Sequence, residues 1–252
     1  MRIVAVTNQK GGVGKTTTAV NMASAFAATR RRTLLIDLDP QGNATTGSGV
    51  DKTQVTYSSY DLLTHRAPLR SCVVSSHDGG YDLVAGNGDL TAAEIELLNA
   101  QDRQSHLKTA LLDHGYDMVV IDCPPSLNML TVNALVAAQG VVIPVQCEFY
   151  ALEGLANLLE TIEAVREGYN PTLEIDGVLR TMYDPRSSLT SEVSRQIREY
   201  FKSKMFSTVI PRNVRLAEAP SHGQSVIQYD RKSRGAISYL AFAGEYFRKV
   251  AA

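Results

Sequence analysis

The chain has 252 residues, 44% hydrophobic and 20% charged, with 25 Lys+Arg against 26 Asp+Glu. That length buries a real core, and no apolar run approaches the roughly 18 residues of a membrane span. Its three cysteines, Cys72, Cys123 and Cys147, are an odd number without CxxC spacing, which excludes a disulfide framework or a structural zinc site and suits reduced, buried thiols.

In chain order, "RIVAV" is a short apolar run of strand type. The start "MRIVAVTNQK" is too briefly apolar for a signal peptide, so a cytoplasmic protein is expected. The strand runs into "QKGGVGKTTT", residues 9–18. This resembles a phosphate-binding loop, GxxxxGK[ST], but Gln9 stands where a glycine belongs and Lys10 is a second lysine. The expected cradle runs through Gly11, Gly12, Val13, Gly14, Lys15, Thr16 and Thr17. Glycines let successive N–H groups turn inward on phosphate oxygens. The helix pattern "TTTAVNMASAFAATR" that follows adds its positive N-terminal end. Lys15 suits the β- and γ-phosphates, and the Thr16 hydroxyl suits a bridging Mg²⁺.

Next, "TLLIDLDPQGN" ends a buried strand in Asp37, with Asp39 just beyond. Asp39 is the first choice to orient and deprotonate an attacking water; a plain turn aspartate is the alternative. Asp37 ranks second, for that role or for a metal contact through water. Residues 42–58, rich in Gly, Ser and Thr, read as a mobile loop. "YDLVA" and "DMVVIDCPPS" supply two more strands. The second ends in Asp122, the expected carboxylate for a Mg²⁺-bound water, before a Pro124–Pro125 turn.

Further strands are "GVVIPV" and "LEIDGVL". Helical patterns are "ALEGLANLLETIEAVRE", with Leu152, Leu155, Leu159, Ile162 and Val165 on one stripe, then "SEVSRQIREYFKSKM" and "AISYLAFAGEYFRKV". Continuous Val/Ile/Leu runs suit strands buried on both faces. The alternation predicts a doubly wound, mostly parallel α/β sheet flanked by helices, a P-loop NTPase in one domain over residues 1–252, with ligands at the carboxyl ends of the strands.

Together "KGGVGKTT", "DLDPQGNAT", "DCPPS", "PVQCEFYALEGL" and "VIPRNVRLAEAPSHG" resemble the ParA/MinD superfamily of deviant Walker-A ATPases, and within it the chromosomal ParA proteins of the Soj type. The resemblance covers nearly the whole chain. It implies a Mg²⁺-dependent ATPase that forms an ATP-sandwich homodimer, binds double-stranded DNA non-specifically and is released when a ParB-like partner stimulates slow hydrolysis. In that family the lysine matching Lys10 reaches across the dimer to the other subunit's ATP, where it offsets charge between two facing nucleotides. Gly11 matches a point of close approach between the two loops. Pro211 and Asn213 match positions that contact the adenine. The larger plasmid ATPases carry an extra N-terminal operator-binding domain, which is not expected here because the first strand starts at residue 2.

The near-neutral charge hides an asymmetry. Residues 1–179 carry 12 Lys+Arg and 20 Asp+Glu, a balance of −8, whereas residues 180–252 carry 13 and 6, a balance of +7. A basic C-terminal third suggests a polyanion-binding face or a merely solvated one. The resemblance points to Arg186 and Arg215 as DNA contacts, with Arg212, Lys232, Arg234, Arg248 and Lys249 extending the patch in a nucleoid-associated protein. With no helix-turn-helix or zinc finger, phosphate contacts give affinity without sequence choice. The competing readings are a MinD-like membrane-positioning ATPase, which needs a basic amphipathic tail; a metabolic ligase or kinase on the same scaffold; an iron–sulfur relative; and a switch with negligible hydrolysis.

Overall fold

The apolar runs line up as one eight-stranded sheet in a computed structural model that describes residues 1–76 and 79–251. The strands are β1 (Arg2–Val6), β2 (Thr33–Asp37), β3 (Val73–Ser75), β4 (Asp82–Val84), β5 (Met118–Asp122), β6 (Gly140–Gln146), β7 (Glu174–Tyr183) and β8 (Met205–Pro211). Their spatial order is β3-β4-β2-β5-β1-β6-β7-β8, and every neighbouring pair is parallel except β3 with β4. The mostly parallel α/β architecture is the one expected.

The period of two along each strand divides the core between the two faces. Ile3, Ala5, Leu34, Ile36, Val119 and Ile121 join one apolar cluster, while Val4, Val6, Leu35, Met118 and Val120 join the other. On the second face the helix Arg234–Val250 buries Tyr239, Phe242 and Tyr246. Phe26 and Phe206 meet those rings, the Phe206–Phe242 pair edge to face at 4.8 Å. On the first face Leu155, Ile162 and Val165 of the expected stripe are buried, in the helix Glu153–Gly168. All three cysteines are free and buried.

Register brings the site together. Val6, Asp37 and Asp122 end three adjacent strands, and Asp122 is the ladder partner of both others. Beside them β6 flanks β1 on its other side. This places the loop after β1 at the carboxyl edge of the sheet, where strands diverge and ligands enter α/β folds.

Three local expectations change. The helix expected across residues 191–205 spans Ser188–Phe201, and Lys202 at φ 45° turns the chain out of it. Met205 then opens β8, a half-exposed strand whose Ser207 and Thr208 N–H groups are capped by the Glu245 carboxylate at 2.6 and 2.8 Å. The short β3 was also not expected. The segment 42–58, read as mobile, contains the helical turn Asn43–Gly47 with Ala44 and Thr45 buried. Ser48 at its end is hydrogen-bonded to Tyr81 at 2.7 Å.

Candidate nucleotide-binding site

The loop between β1 and the helix Lys15–Ala27 takes its shape from Gly12 and Gly14, at φ 73° and 84°, where a side chain is strained. The first helical bond runs from Thr18 N–H to Gly14 O at 2.9 Å. Thr181 of β7 braces the loop by donating its hydroxyl to Val13 O at 2.7 Å. Gly11 differs from Gly12 and Gly14 in having no positive φ; like Gly12 it is exposed, and a Cβ at either meets nothing within 4 Å.

The two lysines point to different surroundings. Lys15 is only 7% exposed, and its ammonium donates to Lys10 O at 3.0 Å inside the loop. Burial lowers its pKa, opposed by the nearby Asp122 carboxylate. Lys10 is partly exposed and forms an ion pair with Glu148 at 2.9 Å. Its backbone N–H donates to Asn8 Oδ1, and Asn8 donates to Pro144 O of β6.

Of the three acids, Asp122 is wholly buried and neither carboxylate oxygen closes a hydrogen bond. Desolvation, then the charge of Asp37, pushes its pKa well above the carboxylate range; the adjacent Thr16 hydroxyl and the Lys15 ammonium act against this. Such a carboxylate is costly unless a cation or water completes it. Together with Thr16 it fits a hydrated divalent metal. Asp37 is held differently. Its Oδ2 accepts from Thr45 N–H and hydroxyl, and its Oδ1 accepts from Asp39 N–H at 3.1 Å. Burial still raises its pKa to about 6. Those bonds make Asp37 the anchor of the segment after β2. Asp39 is 8% exposed and accepts from Gln41 N–H at 2.9 Å, the turn bond that the plainer reading predicts.

A cavity of about 210 Å³ adjoins the loop, lined by Gly14, Thr17, Thr181, Met182, Pro211 and Asn213 among others. The Asn213 Oδ1 is buried without a hydrogen-bond partner, although an amide oxygen can accept two. Sequence reasoning missed Thr181 and Met182, which precede the last residue of β7; Met182 sits at φ 47°, a strained position for its type. The available signal was their place at a strand's carboxyl end. A larger cleft, about 910 Å³, involves Arg32, His65 and His114 and contains none of the expected site residues.

The basic residues fall into two groups. Arg186 forks onto Asp184 through Nε and Nη2 at 3.0 and 2.9 Å. This holds the Asp184 pKa down at about 2, with the Arg212 charge contributing. Arg215 pairs with Glu218 at 2.7 Å and Asp230 at 3.4 Å, and Lys232 N–H donates to the same Asp230. Arg234 is exposed at the start of its helix. Arg248 and Lys249 lie at that helix's far end, about 20 Å away. There Lys249 stands 4.4 Å over the Phe206 ring and near Asp176 O. Along the helix axis Arg248 and Lys249 therefore stand apart from Arg234.

An "AAA domain" family model matches residues 1–175. The chain is 50% identical over 246 residues to the sporulation initiation inhibitor protein Soj of Bacillus subtilis, covering 97% of each chain. It is 50% identical over 249 residues to the chromosome partitioning protein ParA of Caulobacter vibrioides NA1000, covering 97% of this chain and 93% of that one.

The chain belongs to the ParA/Soj family of chromosome-partitioning ATPases.

Among solved structures it is similar to a Mycobacterium smegmatis cobyrinic acid a,c-diamide synthase with bound ATP analog and magnesium. The TM-score is 0.88 at 37% identity, covering 100% of this chain and 96% of that one. The ParA/Soj chain has no helix among the described residues long and apolar enough to cross a membrane.

Proposed function

We propose that this ParA/Soj chain is a Mg²⁺-dependent ATPase whose ATP-bound form is a homodimer that holds DNA. The observation that carries the reading is the divergence of its two lysines: Lys15 is sealed inside the loop, whereas Lys10 stands at an accessible rim beside Gly11. In this reading one cation serves the protomer's own nucleotide and the other a neighbour's. The bound ATP analog and magnesium of the M. smegmatis relative support ATP and Mg²⁺ as the ligands.

In this reading Gly11 to Thr17 hold the phosphates, Pro211 and Asn213 orient the base, and Thr16 and Asp122 hold the metal ion, Asp122 through water. When bound, the metal neutralises charge that builds on the phosphates during hydrolysis. Asp39 positions a water and accepts its proton. Asp37 supports Asp39 through the backbone bond rather than meeting the metal. Lys10 from the partner copy stabilises transition-state charge, as an arginine finger does.

Arg186, Arg212, Arg215, Lys232 and Arg234 form the DNA-facing group, and pairing two copies doubles it, so ATP switches binding through avidity. Contacts to phosphate make that binding non-specific and salt-dependent. A ParB-like activator completes the water's alignment and releases the DNA, which makes the chain a cytoplasmic, nucleoid-associated segregation protein. The terminal helix commits Tyr239, Phe242 and Tyr246 to the core, which favours this reading over membrane positioning.

The test is binding of a random-sequence duplex with ATP, with ADP and without nucleotide, each at two salt concentrations. Tight binding only with ATP, falling with salt at a log–log slope of about −0.9 per phosphate neutralised, is expected. Binding that ignores either nucleotide or salt refutes the proposal.

A further inference from the structure

The cavity beside the glycine loop lies between two segments that also carry basic residues outward. One wall is the end of β7, where Thr181 and Met182 line the space. Four residues past Met182 stands the exposed Arg186, in a turn closed by Ser187 N–H on Asp184 O at 3.2 Å. The other wall is the end of β8 with the helical turn Val214–Glu218. Pro211, Asn213 and Leu216 line the space from there. Arg212 and Arg215, interleaved with them in the chain, are exposed.

The two walls meet loosely. The β7–β8 register shifts between Val178 and Arg180 and again between Arg180 and Tyr183, before Tyr183 pairs with Pro211. Arg212 N–H reaches Tyr183 O at 3.4 Å, which is long for such a bond. Met182, at φ 47°, leaves strand geometry at the same point. The Asn213 Oδ1, buried without a partner, is a vacant acceptor on the far wall.

We infer that this cavity is a wedge site: a base seated between the ends of β7 and β8 fixes the Arg186 turn relative to Arg212 and Arg215, so the nucleotide's base, and not dimerisation alone, sets the affinity for DNA. The inference rests on the DNA and base readings above. Phosphates along a duplex are regularly spaced, so arginines on two separate segments contribute together only when the distance between those segments is held. A purine's amino group supplies the donor that Asn213 Oδ1 lacks. Ligands shift an equilibrium only through interactions that differ between its two states, and here that interaction is the bond to Asn213. The base then acts within one protomer, while the phosphates govern pairing.

Purine riboside triphosphate is ATP without the 6-amino group. One neutral hydrogen bond is worth about 2- to 13-fold in an equilibrium. With dimerisation followed by light scattering on the same samples, a random-sequence duplex should bind the fully dimeric purine riboside form about 2- to 13-fold more weakly than the fully dimeric ATP form. In Asn213→Ala that difference should vanish. The variant should fold, because the Asn213 side chain makes no capping bond to its helix. Equal affinities in the parent chain, or a difference that persists in Asn213→Ala, overturn the wedge. If the parent chain neither dimerises nor binds DNA with ATP, those readings fail instead. Amide hydrogen exchange over residues 182–186 and 211–215 then decides the wedge: slower exchange with ATP than with purine riboside triphosphate supports it, and equal exchange overturns it.

Discussion

Thr45 donates both its backbone N–H and its hydroxyl to one oxygen of Asp37, at 2.8 and 2.7 Å. The same hydroxyl accepts from Gly86 N–H at 2.9 Å, so one buried threonine ties the segment after β2 to the loop after β4. Thr45→Val removes the hydroxyl and leaves Gly86 N–H without that acceptor. A loss of about 1–3 kcal/mol is expected, read as a lower urea midpoint at unchanged slope. An unchanged midpoint contradicts the anchor role.

Gly11 and Gly14 should respond oppositely to a side chain. A Cβ at Gly11 meets open space, so Gly11→Val should alter thermal stability by no more than ~0.5 kcal/mol while abolishing ATP-dependent dimerisation in light scattering. Gly14 sits at φ 84°, and Gly14→Val should destabilise the monomer by about 1–2 kcal/mol. A Gly11 variant that dimerises normally removes the facing-loop interpretation.

Asp39→Ala separates binding from hydrolysis. Removing a general base lowers turnover about 10²- to 10⁴-fold, while the residues proposed to hold phosphates and base are untouched. Fluorescent-nucleotide titration should give affinity within a few-fold of the parent, and phosphate release should nearly cease. Hydrolysis at the parent rate assigns the base elsewhere and leaves Asp39 as the turn residue its bond to Gln41 describes.

Burial depresses His65 and His114 below the ordinary histidine value of 6.5, with His106 adding to the effect at His65. Below that pH the unfolded chain therefore takes up more protons than the native one. Their contribution is fully present above pH 6.5 and is lost as the pH falls toward their folded-state values. Asp37, raised to about 6, has the opposite sign, so the histidine part must be isolated by comparison. The fall in Tm between pH 7.5 and pH 5.5 should be smaller in a His65→Gln/His114→Gln variant than in the parent. Equal falls rule out the histidines as the source.

What was legible in the sequence is what short-range physics controls. The glycine loop could be read because tight backbone turns and a helix start need particular residues at fixed spacing. The interior strands could be read because a strand buried on both faces must be apolar throughout, as β1, β2 and β5 are. β3 and β8 lacked that signal: they lie at the sheet's edges, and β8 keeps Ser207 and Thr208 near solvent. The helix before β8 read too long because Lys202, which breaks it, is not a residue type that announces a positive φ.

Only the tertiary structure decided how each of the three acids is held. The sequence ranked Asp39 above Asp37 and gave Asp122 the metal, but it could not show that Asp37 is occupied, because the donors on it come from Thr45, brought back by a turn. The cavity beside the loop joins Gly14 to Thr181, Met182 and Asn213, residues far apart in the chain that meet because β7 and β8 lie beyond β6 in the sheet. The split of the basic residues also needed the fold, since a 17-residue helix carries Arg248 and Lys249 away from Arg234. Local sequence specifies turns and periodicity; strand order and register determine which distant side chains share one low-dielectric site.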